Sequence, residues 1–161
     1  MHPRTTLTAV AASLVVSLAA PAFACNIPGN ADAMQAELLS NLNAERKANG
    51  LSSLRLSAKL DKAAQGHACD NASRMSISHV SSDGGTLQNR LRRAGYSFRT
   101  AAENTGRGFA SGTRAVEWWM ESPKHRDNML LRKAKEVGIG IAVSPAPDSK
   151  LHWILVVGAA K

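Results

Sequence analysis

The chain is 161 residues long, 44% hydrophobic, with a formal net charge of +8. That length is one domain, large enough to bury a core. The basic balance points to anionic partners such as phospholipid head groups or cell-wall polyanions, while aromatics at only 4% and the lack of any nucleic-acid motif argue against nucleic acid.

The first 24 residues, MHPRTTLTAVAASLVVSLAAPAFA, carry one early cation (Arg4), an apolar run from Leu7 to Ala20, and Ala22-Phe23-Ala24 at the end. This is the pattern of a secretory signal peptide cleaved after Ala24. The apolar run falls short of the roughly 20 residues a transmembrane helix needs. An alternative is acylation of Cys25 after cleavage, although such signals usually carry Leu where this chain has Ala22. The 137 residues from Cys25 to Lys161 keep 19 of the 20 Lys and Arg and all 12 Asp and Glu, a net charge of +7. They hold no second long apolar run, so the expected product is secreted or periplasmic, soluble or peripheral, and monomeric. In an oxidising compartment its two cysteines, Cys25 and Cys69, imply a disulfide rather than two separate thiols. Closing a loop of about 45 residues would stabilise by roughly 4 kcal/mol.

Met34, Leu38 and Leu42 recur every four residues, with Leu39 beside them, and Asn49-Gly50 ends the pattern. This predicts a helix from Asp32 to Ala48. A second helix starts near Ser57, with Leu60, Ala64, Ala68, Ala72 and Met75 as its inner stripe. A turn-rich loop, SHVSSDGG, follows. Leu87, Leu91 and Ala94 mark a short third helix ended by Gly95, with Arg90, Arg92 and Arg93 on its outer side. Ala101 to Gly112, with three glycines, reads as a loop. A fourth helix runs from Thr113 to Glu121, with an apolar face of Val116, Trp119 and Met120, and Ser122-Pro123 stops it. The period then changes. Val137–Val143 and Leu151–Ala159 are β-rich runs around a Pro/Asp/Ser linker, an expected antiparallel pair. Helices first and strands last indicate an α+β fold.

Four histidines follow the signal: His67, His79, His125 and His152. None lies three or four residues from another, and H-E-x-x-H, G-x-S-x-G, P-loop and C-x-x-C motifs are all absent. His125-Arg126-Asp127 spells the start of a kinase catalytic loop. That loop needs Asn five residues after its Asp, where this chain has Arg132. Any site must therefore be assembled by the fold.

The same run read with its neighbours, Trp119-Met120-Glu121-Ser122-Pro123-Lys124-His125-Arg126-Asp127-Asn128-Met129-Leu130, resembles the signature of bacterial CAP-superfamily domains, also called SCP or pathogenesis-related-1-like. Other segments agree in order: Asn43-Ala44-Glu45-Arg46 with Gly50-Leu51, Leu60 to Ala68 including His67, Ser78-His79, Arg90, Gly95-Tyr96, Glu103-Asn104, and Val137-Gly138-Ile139-Gly140. The resemblance covers Leu38 to Gly158. It implies a three-layer α-β-α sandwich around a central antiparallel sheet. It also implies a cavity of two His and two Glu that sometimes holds a divalent cation. Carried over, these fall on His79, Glu103 and His152, with His125 near the same cavity. The second Glu falls on Glu121 or, in the bacterial register, on Ser122. His152 is followed by Trp153-Ile154-Leu155 where eukaryotic members have polar Thr-Gln.

Three His and one Glu from four segments can form an open zinc site, or they can pin a loop to the sheet by hydrogen bonds alone. His67, on the stripe of the second helix, reads as a core histidine. Asn104, Ser122, Arg126 and Asn128 read as cavity support. Adjacent Trp118 and Trp119 cannot both face the core. Arg90, Arg92 and Arg93, with Arg99 and Arg107, are candidates for anionic surface contact. The expected function is a binding module for an envelope or extracellular lipid, glycan or protein. A zinc-dependent hydrolase using His79, His125, His152 and Glu103 is the first alternative. A structural or inhibitory secreted module is the second.

Overall fold

A computed structural model describes residues 25–148 and 150–161; the signal-peptide reading and its cleavage site lie outside the described residues. In chain order the elements are α1 (Ala31–Ala48), β1 (Arg55–Leu56), α2 (Ala58–Ser73), α3 (Leu87–Arg93), β2 (Phe98–Arg107), α4 (Gly112–Glu121), α5 (Pro123–Met129), β3 (Glu136–Val143) and β4 (Leu151–Ala160). The four strands form one sheet in the order β1-β3-β4-β2. β3, β4 and β2 are antiparallel, as expected, and the two-residue β1 adds a parallel edge.

Period-2 alternation sorts the sheet into two faces. Ile139, Ile141, Trp153, Leu155 and Val157 pack with α1, α4 and Met129 of α5. Ala142, Ile154 and Val156 pack with α2 and Leu91 of α3. The fold is therefore helices, sheet, helices. On the second face α2 lies close to β3. A Cβ on Gly138 would stand 2.1 Å from the Leu60 carbonyl carbon, and one on Gly140 would stand 2.3 Å from the Ala64 carbonyl oxygen. The alternating glycines of VGIGI are thus the surface on which the alanine stripe of α2 rests.

β1 covers only the start of β3. Beyond it, side chains take the place of a strand. Asp61 Oδ1 accepts from the Ile139 N–H (2.9 Å), and Gln65 bonds both to the Ile141 N–H (3.1 Å) and to its C=O (2.8 Å). An edge that would otherwise be open is closed by α2 itself.

Three helices end in the same way. Gly50, Met75 and Gly95 have φ of 68°, 54° and 74°, and each is followed by an N–H bonding back five residues: Leu51 to Arg46 (2.9 Å), Ser76 to Asn71 (2.9 Å) and Tyr96 to Leu91 (2.9 Å). This is the Schellman motif, which favours glycine at the left-handed position. Met75 occupies it after α2. That corrects the expectation of an inner Met75: the helix has already ended, and the side chain is 54% exposed.

Ala101 to Arg107 is strand, not loop, and only 108–111 is irregular. Its glycine and its polar residues hide a strand whose pairing with β4 runs from Phe98 to Arg107. Cys25 and Cys69 form the expected disulfide, which leaves no Cys25 thiol for acylation.

Candidate functional site

The 74–86 segment between α2 and α3 carries His79, and side chains of both helices hold its backbone. The His67 Nε2 and the Asn71 amide both donate to the Ser78 C=O, at 2.8 and 2.9 Å. Arg90 donates to the C=O of His79 and of Gly85, both at 3.1 Å, and Arg74 donates to the Val80 C=O at 3.1 Å. A carbonyl only accepts, so His67 carries its proton on Nε2 and its Nδ1 lies 3.2 Å from the Ser81 hydroxyl. Burial pushes its pKa down. His67 is the satisfied core histidine expected from its place on the helix stripe.

Glu103, on β2, points to the same face. Its Oε1 lies 2.9 Å from His79 Nδ1 and its Oε2 2.6 Å from Arg90 Nη2, with His67 Nε2 at 3.9 Å. The carboxylate is therefore buried between a guanidinium and two imidazoles. It accepts from His79 Nδ1–H, so it sets the imidazole tautomer and leaves Nε2 on the outward side. The His79 side chain is 58% exposed.

On the other side of β2 stand α4 and α5. Asn104 donates to the His125 C=O (3.0 Å), and Asn128 donates to the Glu103 C=O (3.1 Å) and to Asn104 Oδ1 (2.9 Å). The Trp119 indole N–H donates to the Thr105 C=O (3.2 Å). Outward carbonyls of an edge strand are thereby capped, and α5 is fixed against it. Its first turn carries His125, whose Nδ1 is 2.8 Å from the Ser122 hydroxyl. The ring packs on Trp118 at a centroid distance of 5.3 Å, and Trp118 packs on Phe109 at 5.4 Å. Burial, then the proximity of His79, holds the His125 pKa below the usual imidazole range.

His79 and His125 thus flank the β2 edge, close enough to interact electrostatically, with exposed Ile77 and Val80 in the segment that carries His79 and exposed Trp118 against His125. Trp119 is fully buried and Trp118 is not, as adjacent helical residues require. Of the two candidates after the tryptophans, Ser122 meets His125, while Glu121 is exposed. Asn104, Ser122 and Asn128 form the frame, whereas Arg126 points to solvent.

His152 is elsewhere. It pairs across β4 with Arg107, whereas Glu103 pairs with Val156. Four residues of strand separate the two, about 13 Å. Its ring is buried, and the Ser76 backbone is near, yet neither nitrogen completes a hydrogen bond. Among the described residues no three His, Cys, Asp or Glu converge as a metal set. With Glu103 already engaged at both oxygens, these donors do not fit a tightly held cation.

Arg90 needs correction. Expected on the outer side of its helix as a contact for anions, it is 6% exposed and bound to Glu103. The signal is present in the sequence: Leu87, Arg90, Leu91 and Ala94 follow one helical stripe, so Arg90 belongs to the inner face. Arg93 pairs with Asp83 and Arg107 with Asp148, and Arg92 is exposed. Ile77 and Val80 escape a reading of the sequence because nothing in a short loop marks which apolar residues stay in water.

A family model described as the cysteine-rich secretory protein family, CAP, matches residues 39–157. The protein YkwD of Bacillus subtilis is 29% identical over 117 residues, which cover 73% of this chain and 46% of YkwD. The chain spans less than half the length of the curated relatives it matches. Among solved structures, an outer surface protein of Borrelia burgdorferi superposes with a TM-score of 0.75 at 22% identity, over 86% of this chain and all of that one. An extracellular protein containing an SCP domain from Bacillus anthracis does so with a TM-score of 0.68 at 25% identity, over 81% of this chain and 44% of its own. Matching motifs, layers and relatives agree: the chain belongs to the cysteine-rich secretory protein (CAP) family.

Proposed function

We propose that this CAP domain is an exported binding module, acting at the cell envelope or outside the cell, and that the β2 edge between His79 and His125 serves as its ligand groove. The outer-surface and extracellular descriptions of its structural relatives support the location. The observation that carries the binding reading is Glu103. Both of its carboxylate oxygens are occupied, by His79 and by Arg90. It therefore acts as a strut that orients His79 rather than as a free base. His79 then presents Nε2 as an acceptor beside the apolar surface of Ile77, Val80 and Trp118. The complementary ligand has an apolar portion next to a hydroxyl or amide donor, as lipids, glycans and peptides do. Fold alone names none of these.

The alternative, a zinc hydrolase on His79, His125, His152 and Glu103, is opposed by the distance to His152 and by the engaged carboxylate. The test uses the chain from residue 25, as wild type, His79→Ala and Glu103→Gln. Each is tested for retention on lipid and peptidoglycan fractions at low salt, and for its melting temperature with and without zinc. Binding predicts retention that His79→Ala weakens about tenfold, the worth of one or two good hydrogen bonds, and no zinc response. Retention on no fraction sinks the binding reading. A zinc-dependent rise in melting temperature that His79→Ala abolishes would restore the metal site.

A further inference from the structure

At the start of β2, three residues before Glu103, a second site gathers four of the twelve Lys and Arg that form no ion pair among the described residues. Thr100 of β2 and Ala159 of β4 are paired partners and form its floor. Arg99, Arg132, Lys133 and Lys135 surround them, around an open pocket of about 690 Å³. All four cations are exposed. Among the described residues none takes part in an ion pair, whereas Arg90, Arg93 and Arg107 all do. The carboxylate of Glu136, next to Lys135, is taken by Arg55 and by the Tyr96 hydroxyl.

The backbone builds this arrangement. Phe98 pairs with Ala160 and Thr100 with Ala159, so Arg99 is the extra residue of a β-bulge. A bulge re-aims a side chain, and this one puts Arg99 on the side of Thr100. Its Nε donates to the Ala160 C=O at 3.0 Å, which anchors the guanidinium and leaves its outer nitrogens available. Opposite, Ala134 N–H bonds to the Leu131 C=O (3.0 Å) and Lys135 N–H to the Gly158 C=O (2.8 Å). That turn is pinned at its base and presents Arg132 and Lys133 at its tip. Like charges held together repel, so a cluster built by a bulge and a pinned turn is complementary to an anion.

We propose that this pocket binds a soluble phosphate-bearing polymer through repeated phosphate groups. Phosphate is favoured over carboxylate because a tetrahedral group accepts from several cations at once, and guanidinium forks and ammonium groups both recognise it. A polymer is favoured because four cations line an open pocket too wide for one phosphate. A bilayer is disfavoured because every strongly exposed large apolar side chain among the described residues lies outside the lining, so nothing there enters the acyl layer. Nucleic acid is disfavoured because no aromatic side chain lines the pocket for base stacking. This goes beyond the groove reading and stands without it.

The experiment measures binding of linear inorganic polyphosphate to the chain from residue 25. The variants are Arg99→Gln, Arg132→Gln/Lys133→Gln, and a control, Lys62→Gln/Lys124→Gln, which removes two charges from exposed sites elsewhere. Polygalacturonate and phosphatidylglycerol vesicles are the competing probes. The expected result is binding that falls with salt at a log–log slope of about −3, for roughly four neutralised phosphates. Arg132→Gln/Lys133→Gln and Arg99→Gln weaken it at least about tenfold, and the control less than about twofold. Unchanged melting temperatures show that the variants are folded. The proposal is overturned by no polyphosphate binding, by equal loss in the control, by polygalacturonate binding as tightly, or by binding to vesicles alone. His79, Glu103 and His125 are untouched, so the outcome is separate from that of the groove.

Discussion

Met75 shows how a single residue can carry strain beside the segment that holds His79. It sits in the left-handed region with φ 54°, at the helix terminus where α1 and α3 place Gly50 and Gly95. A side chain in that region costs about 1 kcal/mol. Its side chain is largely exposed, so replacing it loses little packing. Met75→Gly is therefore expected to stabilise the protein by about 1 kcal/mol, measured as a higher denaturant midpoint at unchanged m-value. A lower midpoint would mean that Met75 packs on the groove loop more than its exposure implies. At this scale the sequence is legible where a residue's place on a helical stripe decides its burial, as with His67. It misplaces Arg90, whose acidic partner stands 13 positions away in a strand.

Elements are legible in proportion to how far their hydrophobic period is free to show. α1, α4 and β4 each bury a stripe or a run of apolar residues, and all three stand out in the sequence. β2 reads as a loop because Glu103 and Thr105 face the polar cluster and Asn104 faces α5. Its strand state comes from pairing with β4, not from propensity. β3 teaches the reverse. Its glycines look like weak strand formers, yet they are where α2 makes backbone contact. Gly140→Ala would drive a Cβ to within 2.3 Å of the Ala64 carbonyl oxygen. The helix must then lift from the sheet. Overpacking of this kind costs about 1–3 kcal/mol, so the expected outcome is a melting temperature several degrees lower. An unchanged melting temperature would mean that α2 is not seated on β3 as described.

Across the whole molecule, burial pushes three imidazole pKa values down: those of His67, His125 and His152. A histidine with a depressed folded pKa is held neutral by the fold. The unfolded chain then binds more protons near its ordinary pKa of about 6.5. The corresponding stability is complete above that pH and is lost as pH falls from it through the depressed folded values. Melting temperature should therefore decline between about pH 7 and pH 5, before most carboxylates protonate. His152→Leu should flatten the decline, because its ring is buried without a completed hydrogen bond. The same slope in that variant would assign the pH dependence to other groups.

Motifs, local periodicity and a count of two cysteines suffice for the family, the α+β class and the disulfide pair. All of these can be read along the chain. Folding is needed to show that Glu103 is engaged at both oxygens, that His152 lies apart from it, and that four unpaired cations gather around Arg99 and Arg132 while Arg90 and Arg93 are paired. Charge pairing and strand register join residues far apart in sequence. Which cation meets a carboxylate, and which stays available to a ligand, depends on side chains that only the folded chain brings within reach.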